Sequence, residues 1–173
     1  WISALMPLRV LDDNGSGYVS DAIAAYAYAA REGARVVNAS LGGPSFSRAE
    51  RDALVAAPNT LFVVAAGNDA TDNDASPDYP CDYDLANVVC VAATDRDDTL
   101  ASFSNYGRVQ VDLAAPGLNI LSTLPGNRYG ELSGTSMATP HVAGVLALAL
   151  ASNPDLSSAQ LIEMLLSNVD SVP

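Results

Sequence analysis

Gly134-Thr135-Ser136-Met137-Ala138-Thr139-Pro140-His141-Val142-Ala143-Gly144 is the stretch around which this 173-residue chain is organised. A turn of small residues there delivers a serine to the first turn of a long helix. From Val142 to Ala151 that helix holds only Val, Ala, Gly and Leu, the composition of a buried core helix. Pro140 fits only near a helix start, where its missing N–H costs least. Ser136 therefore lies where backbone N–H groups lack intrahelical partners and the helix dipole is positive, conditions that suit negative charge developing on a neighbouring oxygen. An apolar run after a serine is ordinary core in most proteins, so the assignment of Ser136 as a nucleophile rests on the longer string.

Outward from that helix, the chain alternates strands and helices. Residues 6–11 read as a short strand, followed by the polar turn Asp12 to Gly17. A helix capped by Ser20 follows, with Ile23, Tyr26, Ala27 and Ala30 at helical spacing and Gly33 at its end. Residues 35–40 predict a strand, Ser47 with Glu50 predicts a capping box for a helix that stops before Pro58, and residues 61–66 predict another strand. Residues 88–93 add one more, and residues 100–132 read as short strands and turns. A last helix starts at Ser157, with Gln160 completing a capping box and Leu161, Met164 and Leu165 inward. Successive βαβ units give a mainly parallel sheet covered on both faces, a three-layer α/β/α arrangement in a single domain. Ligands of such sheets bind beyond the carboxyl ends of the strands, and both Ser40-Leu41-Gly42 and Gly67-Asn68 fall there.

Composition narrows the partners. The net charge is −12 and all eight basic residues are arginine, which argues against nucleic acid. Apart from the helix there is no stretch suggesting a membrane span, and the helix itself reads as short of the roughly 18 to 20 apolar residues required. Nor does the N-terminus carry the pattern of a signal peptide; the chain starts at Trp1 in mid-pattern, which predicts further sequence upstream. Cys81 and Cys90, nine positions apart across a loop leading into a strand, read as a disulfide, with free thiols or half of a metal site as alternatives. A disulfide implies an oxidising, extracellular setting. The Asp-rich loop after Asn68 reads mainly as solvated surface, with a cation site as the sharper alternative; its spacing fits no EF-hand.

The string Gly134 to Gly144 closely resembles the active-site serine motif of the subtilisin-like serine proteases. The resemblance extends over nearly the whole chain, through Ala115-Pro116-Gly117, Ser122 to Asn127, Tyr129-Gly130, Asn38 to Gly43 and Val64-Ala65-Ala66-Gly67-Asn68. It implies a subtilisin-like fold, here incomplete at its N-terminus, and a serine endopeptidase acting on polypeptides. Asn68 would then be the oxyanion donor together with the N–H of Ser136, and Ser40, Leu41 and Gly42 a strand that pairs with an extended substrate. Ala65, Ala66 and Gly67 would leave a roomy pocket for the residue before the scissile bond, with Asp69 on its rim. The resemblance also implies a weak cation site, calcium or a monovalent ion, formed by Asp112 and carbonyls near Cys81, Tyr83 and Val88. The chemistry itself requires no cofactor.

A serine nucleophile needs a base and a group to orient that base. His141 is the only histidine, and five residues along one helix it lies about 7.5 Å away axially and about 140° around from Ser136. It reads as a packing residue. With no lysine present, a Ser-Lys dyad is excluded as well. The resemblance places the catalytic Asp and His upstream of this sequence, so the chain reads as the C-terminal half of a peptidase domain, inactive alone. Two alternatives are a catalytically inactive binding module of the same fold and a carboxylate-based relative of the sedolisin type; the intact serine motif and Asn68 speak against both.

Overall fold

The computed structural model describes residues 3–171. Four strands, β1 (Val36–Ala39), β2 (Leu61–Ala65), β3 (Val88–Thr94) and β4 (Leu113–Pro116), form one sheet in that order with every pair parallel. Parallel neighbours need crossovers, and the helices α1 (Val19–Arg31), α2 (Arg48–Val55), α3 (Thr135–Ser152) and α4 (Ser158–Leu166) cover the two faces. A separate antiparallel hairpin joins β5 (Ile120–Leu124) to β6 (Arg128–Leu132).

The alternation of side chains along a strand divides the core in two. From β2, Phe62 and Val64 pack toward α1 and α2 with Ala22, Tyr26, Leu54, Val88 and Cys90. Leu61 and Val63 point the other way, against Ala138, Val142 and Leu146 of α3 and Leu161 and Leu165 of α4. All five β2 residues are buried, which explains why the strand is uniformly apolar and not alternating. The Cys81–Cys90 disulfide ties the 3-10 turn Cys81–Tyr83 to β3, with 5.0 Å between the α-carbons.

Several expectations from sequence are corrected. Residues 6–11 form no strand; the segment is exposed from Met6 to Arg9, half-buried at Val10 and Leu11, and pairs with none of the described strands. The first helix starts at Val19 and not at a Ser20 cap, its first N–H groups using the Tyr18 carbonyl, and its buried face is Ala22, Tyr26 and Ala29. Ser47 caps α2, but Glu50 does not reach back: it is buried, and its carboxyl accepts from the Tyr83 hydroxyl at 2.7 Å. The Ser157 and Gln160 capping box is formed. At 18 residues α3 does reach the length and apolarity of a membrane span, yet it packs on all four strands of the sheet. Its outer face, with Val145 and Leu148 half or more exposed, is not the buried surface its composition suggests. The acidic loop is also more than solvated surface, since the Asp74 carboxylate accepts from the N–H groups of Arg108, Val109 and Gln110. Trp1 lies outside the described residues.

Candidate active site

The carboxyl edge of the sheet gathers the candidate residues. β1 runs out into Ser40-Leu41-Gly42, β2 into Ala66-Gly67-Asn68, and β4 into Gly117, whose carbonyl accepts from the N–H of Gly134 at 2.8 Å. Gly134 has φ 155°, a conformation open to glycine, and from it α3 begins with Ser136 in its first turn.

Gly134 offers no side chain to cap α3, so the cap comes from another loop. Asn68 Oδ1 accepts from the Thr135 N–H at 2.8 Å and lies 3.1 Å from the Thr135 hydroxyl, which also accepts from the Gly67 N–H at 3.3 Å. An N–H must point at an oxygen, so this geometry assigns the amide orientation and turns the Asn68 Nδ2 group toward other acceptors. Thr135 was not singled out from sequence; its signal was a hydroxyl directly before a helix-start serine, facing a Gly-Asn turn.

A second tie crosses from β1. Pro140 has no N–H, so the carbonyl four residues earlier, that of Ser136, loses its helical donor. The Ser40 hydroxyl donates to that carbonyl at 2.9 Å, and Ser136 Oγ lies 3.4 Å from the Ser40 carbonyl oxygen. Ser136 is half-buried, and its N–H belongs to the first turn, which lacks intrahelical acceptors. The structure thus brings Ser136, Asn68 and Ser40 together at one edge.

Other candidates fall differently. Gly42, Asn68 and Asp69 are exposed, and Gly67 and Leu41 partly so, whereas Ala65 and Ala66 are 5% and 0% exposed. Ala65 ends β2 and Ala66 follows it, and both side chains lie beneath the surface. His141 is exposed, not packed, and its Nδ1–H donates to the Met137 carbonyl at 2.8 Å within its own helix. Asp112 is exposed at one side; its other carboxylate oxygen accepts from the Cys90 N–H at 2.7 Å, and desolvation against β3 pushes its carboxyl above the ordinary range. Among the described residues no three His, Cys, Asp or Glu side chains gather as metal ligands, so a cation beside Asp112 would depend on the backbone carbonyls around it.

Two acids of the loop were missed as site neighbours: Asp78 beside the Ser40–Gly42 segment, which is extended chain past the end of β1 and not a strand, and Asp82 on the Asp78 N–H. Asp78 packs against Gly42 so closely that a β-carbon there would lie 2.5 Å from Asp78 Oδ1. Burial, with the nearby charges of Asp82 and Asp69, raises the Asp78 carboxyl to about 6; burial raises Asp82 to about 6 as well. Residues Gly43 and Tyr79 bridge the two segments by reciprocal backbone hydrogen bonds of 2.9 and 2.8 Å.

Comparison with known proteins gives this geometry its context. The chain matches the subtilase family over residues 1–172. It is 48% identical over 147 residues to the thermophilic serine proteinase of Bacillus sp. (strain AK1), covering 83% of this chain and 35% of that protein. Thermitase of Thermoactinomyces vulgaris is 45% identical over 148 residues, 84% of this chain and 51% of its own length. Subtilisin Savinase of Lederbergia lenta is 43% identical over 159 residues, 91% and 57% respectively. The crystal structure of a cold adapted subtilisin-like serine proteinase superposes with a TM-score of 0.84 at 41% identity, covering 92% of this chain and 57% of that one. The chain therefore spans between about a third and somewhat over half of these relatives. With a family match over residues 1–172 and a superposition covering 92% of its length, the chain belongs to the subtilase family.

Proposed function

We propose that this chain supplies the nucleophile, the oxyanion donors and the substrate-binding segment of a subtilisin-like serine endopeptidase, the base and its orienting acid being contributed by sequence outside it. The observation that carries the reading is the placement of Asn68. Its Oδ1 is fixed by the N–H and hydroxyl of Thr135, the residue directly before Ser136, which leaves its Nδ2 group available at the start of the serine-bearing helix. Donors in that arrangement suit an oxyanion.

In the proposed reaction an extended peptide lies along Ser40-Leu41-Gly42 by main-chain hydrogen bonds. Ser136 Oγ attacks the scissile carbonyl carbon and gives its proton to the base. Asn68 and the Ser136 N–H stabilise the oxygen that takes the negative charge. Collapse breaks the C–N bond, the amine leaves with the proton from the base, and water then attacks the acyl-Ser136 ester by the reverse proton transfers, releasing the acid. Within the chain no base serves: the single histidine bonds to its own helix and no lysine exists. Gly67 and Asp69 border the pocket for the residue before the scissile bond. Broad specificity follows from main-chain recognition, and the disulfide suits an extracellular setting.

Fluorophosphonate labelling of Ser136 with parallel peptide hydrolysis tests this on the chain alone, on the chain with the encoded upstream segment, and on Ser136→Ala. Labelling and hydrolysis are expected only when the upstream segment is present and Ser136 is intact. Rapid labelling of the chain alone would reveal a base within it, and no labelling with the upstream segment would overturn the peptidase reading.

A further inference from the structure

The loop that carries Asn68 rests on two buried amides that the chemistry above does not use. Asn73 and Asn105 are each 1% exposed. Asn105 Oδ1 accepts from the N–H groups of Asp69 at 2.8 Å and Thr71 at 3.2 Å, while its backbone N–H donates to the Gly67 carbonyl at 3.0 Å. Its Nδ2 donates to Asn73 Oδ1 at 3.0 Å. Asn73 Nδ2 in turn donates to the Ala66 carbonyl at 3.0 Å and contacts Cys81 Sγ at 3.4 Å. The bonds fall on both sides of Asn68: Ala66 and Gly67 before it, Asp69 and Thr71 after it.

Close packing reinforces this pattern. Gly67 has φ +109°, and a β-carbon there would stand 2.4 Å from Asn105 Nδ2, so the loop backbone lies directly on the Asn105 amide. Buried amide groups are costly to leave unpaired, which makes the relay close only in the observed loop conformation. From the other side, the Thr135 N–H and hydroxyl fix Asn68 Oδ1. Asn68 itself is exposed, so its rotamer is set by two anchors, the start of α3 above and the Asn105–Asn73 relay below.

We propose that Asn105, backed by Asn73, is a positioning residue that holds the Asn68 amide at the oxyanion and acts on catalysis through Asn68 without touching substrate. The inference rests on the peptidase reading for its catalytic consequence and on geometry alone for the clamp. An oxyanion donor works within a few tenths of an ångström, and a displacement of about 1 Å costs up to about 100-fold in rate.

The test measures kcat and KM in the full-length protein for Asn105→Ala and Asn73→Ala, each alone and combined with Asn68→Ala. Each single substitution is expected to lower kcat by about 10- to 100-fold with KM within about twofold, and to cost less than about twofold more once Asn68 is already alanine. An equal loss in both backgrounds, or a loss carried by KM, would show a merely structural role and overturn the proposal. Amide hydrogen exchange on the chain itself reads the clamp without activity: Asn105→Ala should release protection at Asp69 and Thr71 while strands β2 and β3 stay protected. Unchanged protection would overturn the clamp even in an active enzyme. A wild-type full-length protein without peptidase activity would instead overturn the peptidase reading and the catalytic role with it, whatever the exchange shows. Should Asn105→Ala fail to fold, Asn73→Ala, which leaves Asn105 in place but without its partner, carries the kinetic comparison, and an equal loss in both Asn68 backgrounds overturns the proposal.

Discussion

Asn68 makes the case at the scale of one residue, because its two ends have separate tasks. The oxygen caps α3 through Thr135, and in the proposed reaction the N–H₂ group meets charge that develops in the transition state. Asn68→Ala in the full-length protein is therefore expected to lower kcat far more than it changes KM. The size is carried over from subtilisin itself, about 10² to 10³ in kcat for loss of its oxyanion asparagine. A second residue-scale prediction concerns Asp69, exposed directly after Asn68. Its carboxylate should favour Lys over Glu before the scissile bond, and water screening limits the effect to about 1 kcal/mol, or about fivefold. Comparing kcat/KM for matched Lys and Glu peptides should show that preference falling in Asp69→Asn; an unchanged ratio would remove Asp69 from the pocket. Asn68 and Ser136 were legible in the sequence from their string and turn context. Asn73 and Asn105 were not, because a buried amide is marked by its partners and those come from distant loops.

Elements were legible in proportion to how local their causes are. The α4 capping box is formed because Ser157 and Gln160 meet within one turn, and Ser157→Ala is expected to cost about 1 kcal/mol, lowering Tm by about 2 to 4 °C in a thermal melt. At α2 the same pattern was only half realised, since Glu50 found the Tyr83 hydroxyl across the core in place of its own cap. Burial raises the Glu50 carboxyl accordingly. The segment 6–11 shows the opposite case: its apolar alternation suits a strand, but strand structure lies in the ladder and not in the segment, and no partner lies beside it among the described residues. Pro140 links element and site. By stripping the Ser136 carbonyl of its helical donor it opens the acceptor that Ser40 fills, and so couples the end of β1 to the start of α3.

For the whole molecule, surface area is informative. The chain exposes 10330 Å², against about 8,000 Å² for a compact monomer of its 17.9 kDa mass. The excess includes Leu5, Val109, Leu121 and Leu148, each more than 60% exposed. Such apolar surface invites association, so solution scattering is expected to show an apparent mass that rises with concentration; a compact, concentration-independent monomer would contradict this. Acidity acts at the same scale. Asp78 and Asp82 are raised from an ordinary 3.8 to about 6 in the folded chain, so folding takes up protons between those values. Their contribution to stability is fully present below about pH 4 and is lost as pH rises through about 6. Asp78→Asn is thus expected to raise Tm by about 2 to 4 °C at pH 8, roughly 1 kcal/mol once solvent screening is allowed for, and to leave it unchanged at pH 4. Equal shifts at both pH values would assign the effect to packing against Gly42.

The sequence by itself determined the parallel sheet, the serine at the head of α3 and the Gly-Asn turn after β2, because each is set by periodicity, turn chemistry or a long consecutive string, and the structure closed the choice it left open at Cys81 and Cys90. Its inventory of one histidine and no lysine also motivates the proposal that the base lies outside the chain. The tertiary structure alone decided which oxygen of which loop caps α3, that Asp78 packs on Gly42, and that two buried amides grip the loop of Asn68. It also placed Ala65 and Ala66 below the surface and left one face of α3 exposed. Those facts depend on groups far apart in sequence meeting at hydrogen-bonding distance, and no local pattern encodes that meeting: Asn105 and Asp69 are 36 residues apart, Thr135 and Asn68 are 67 apart, and the bonds between them exist only once the sheet has brought its carboxyl edge together.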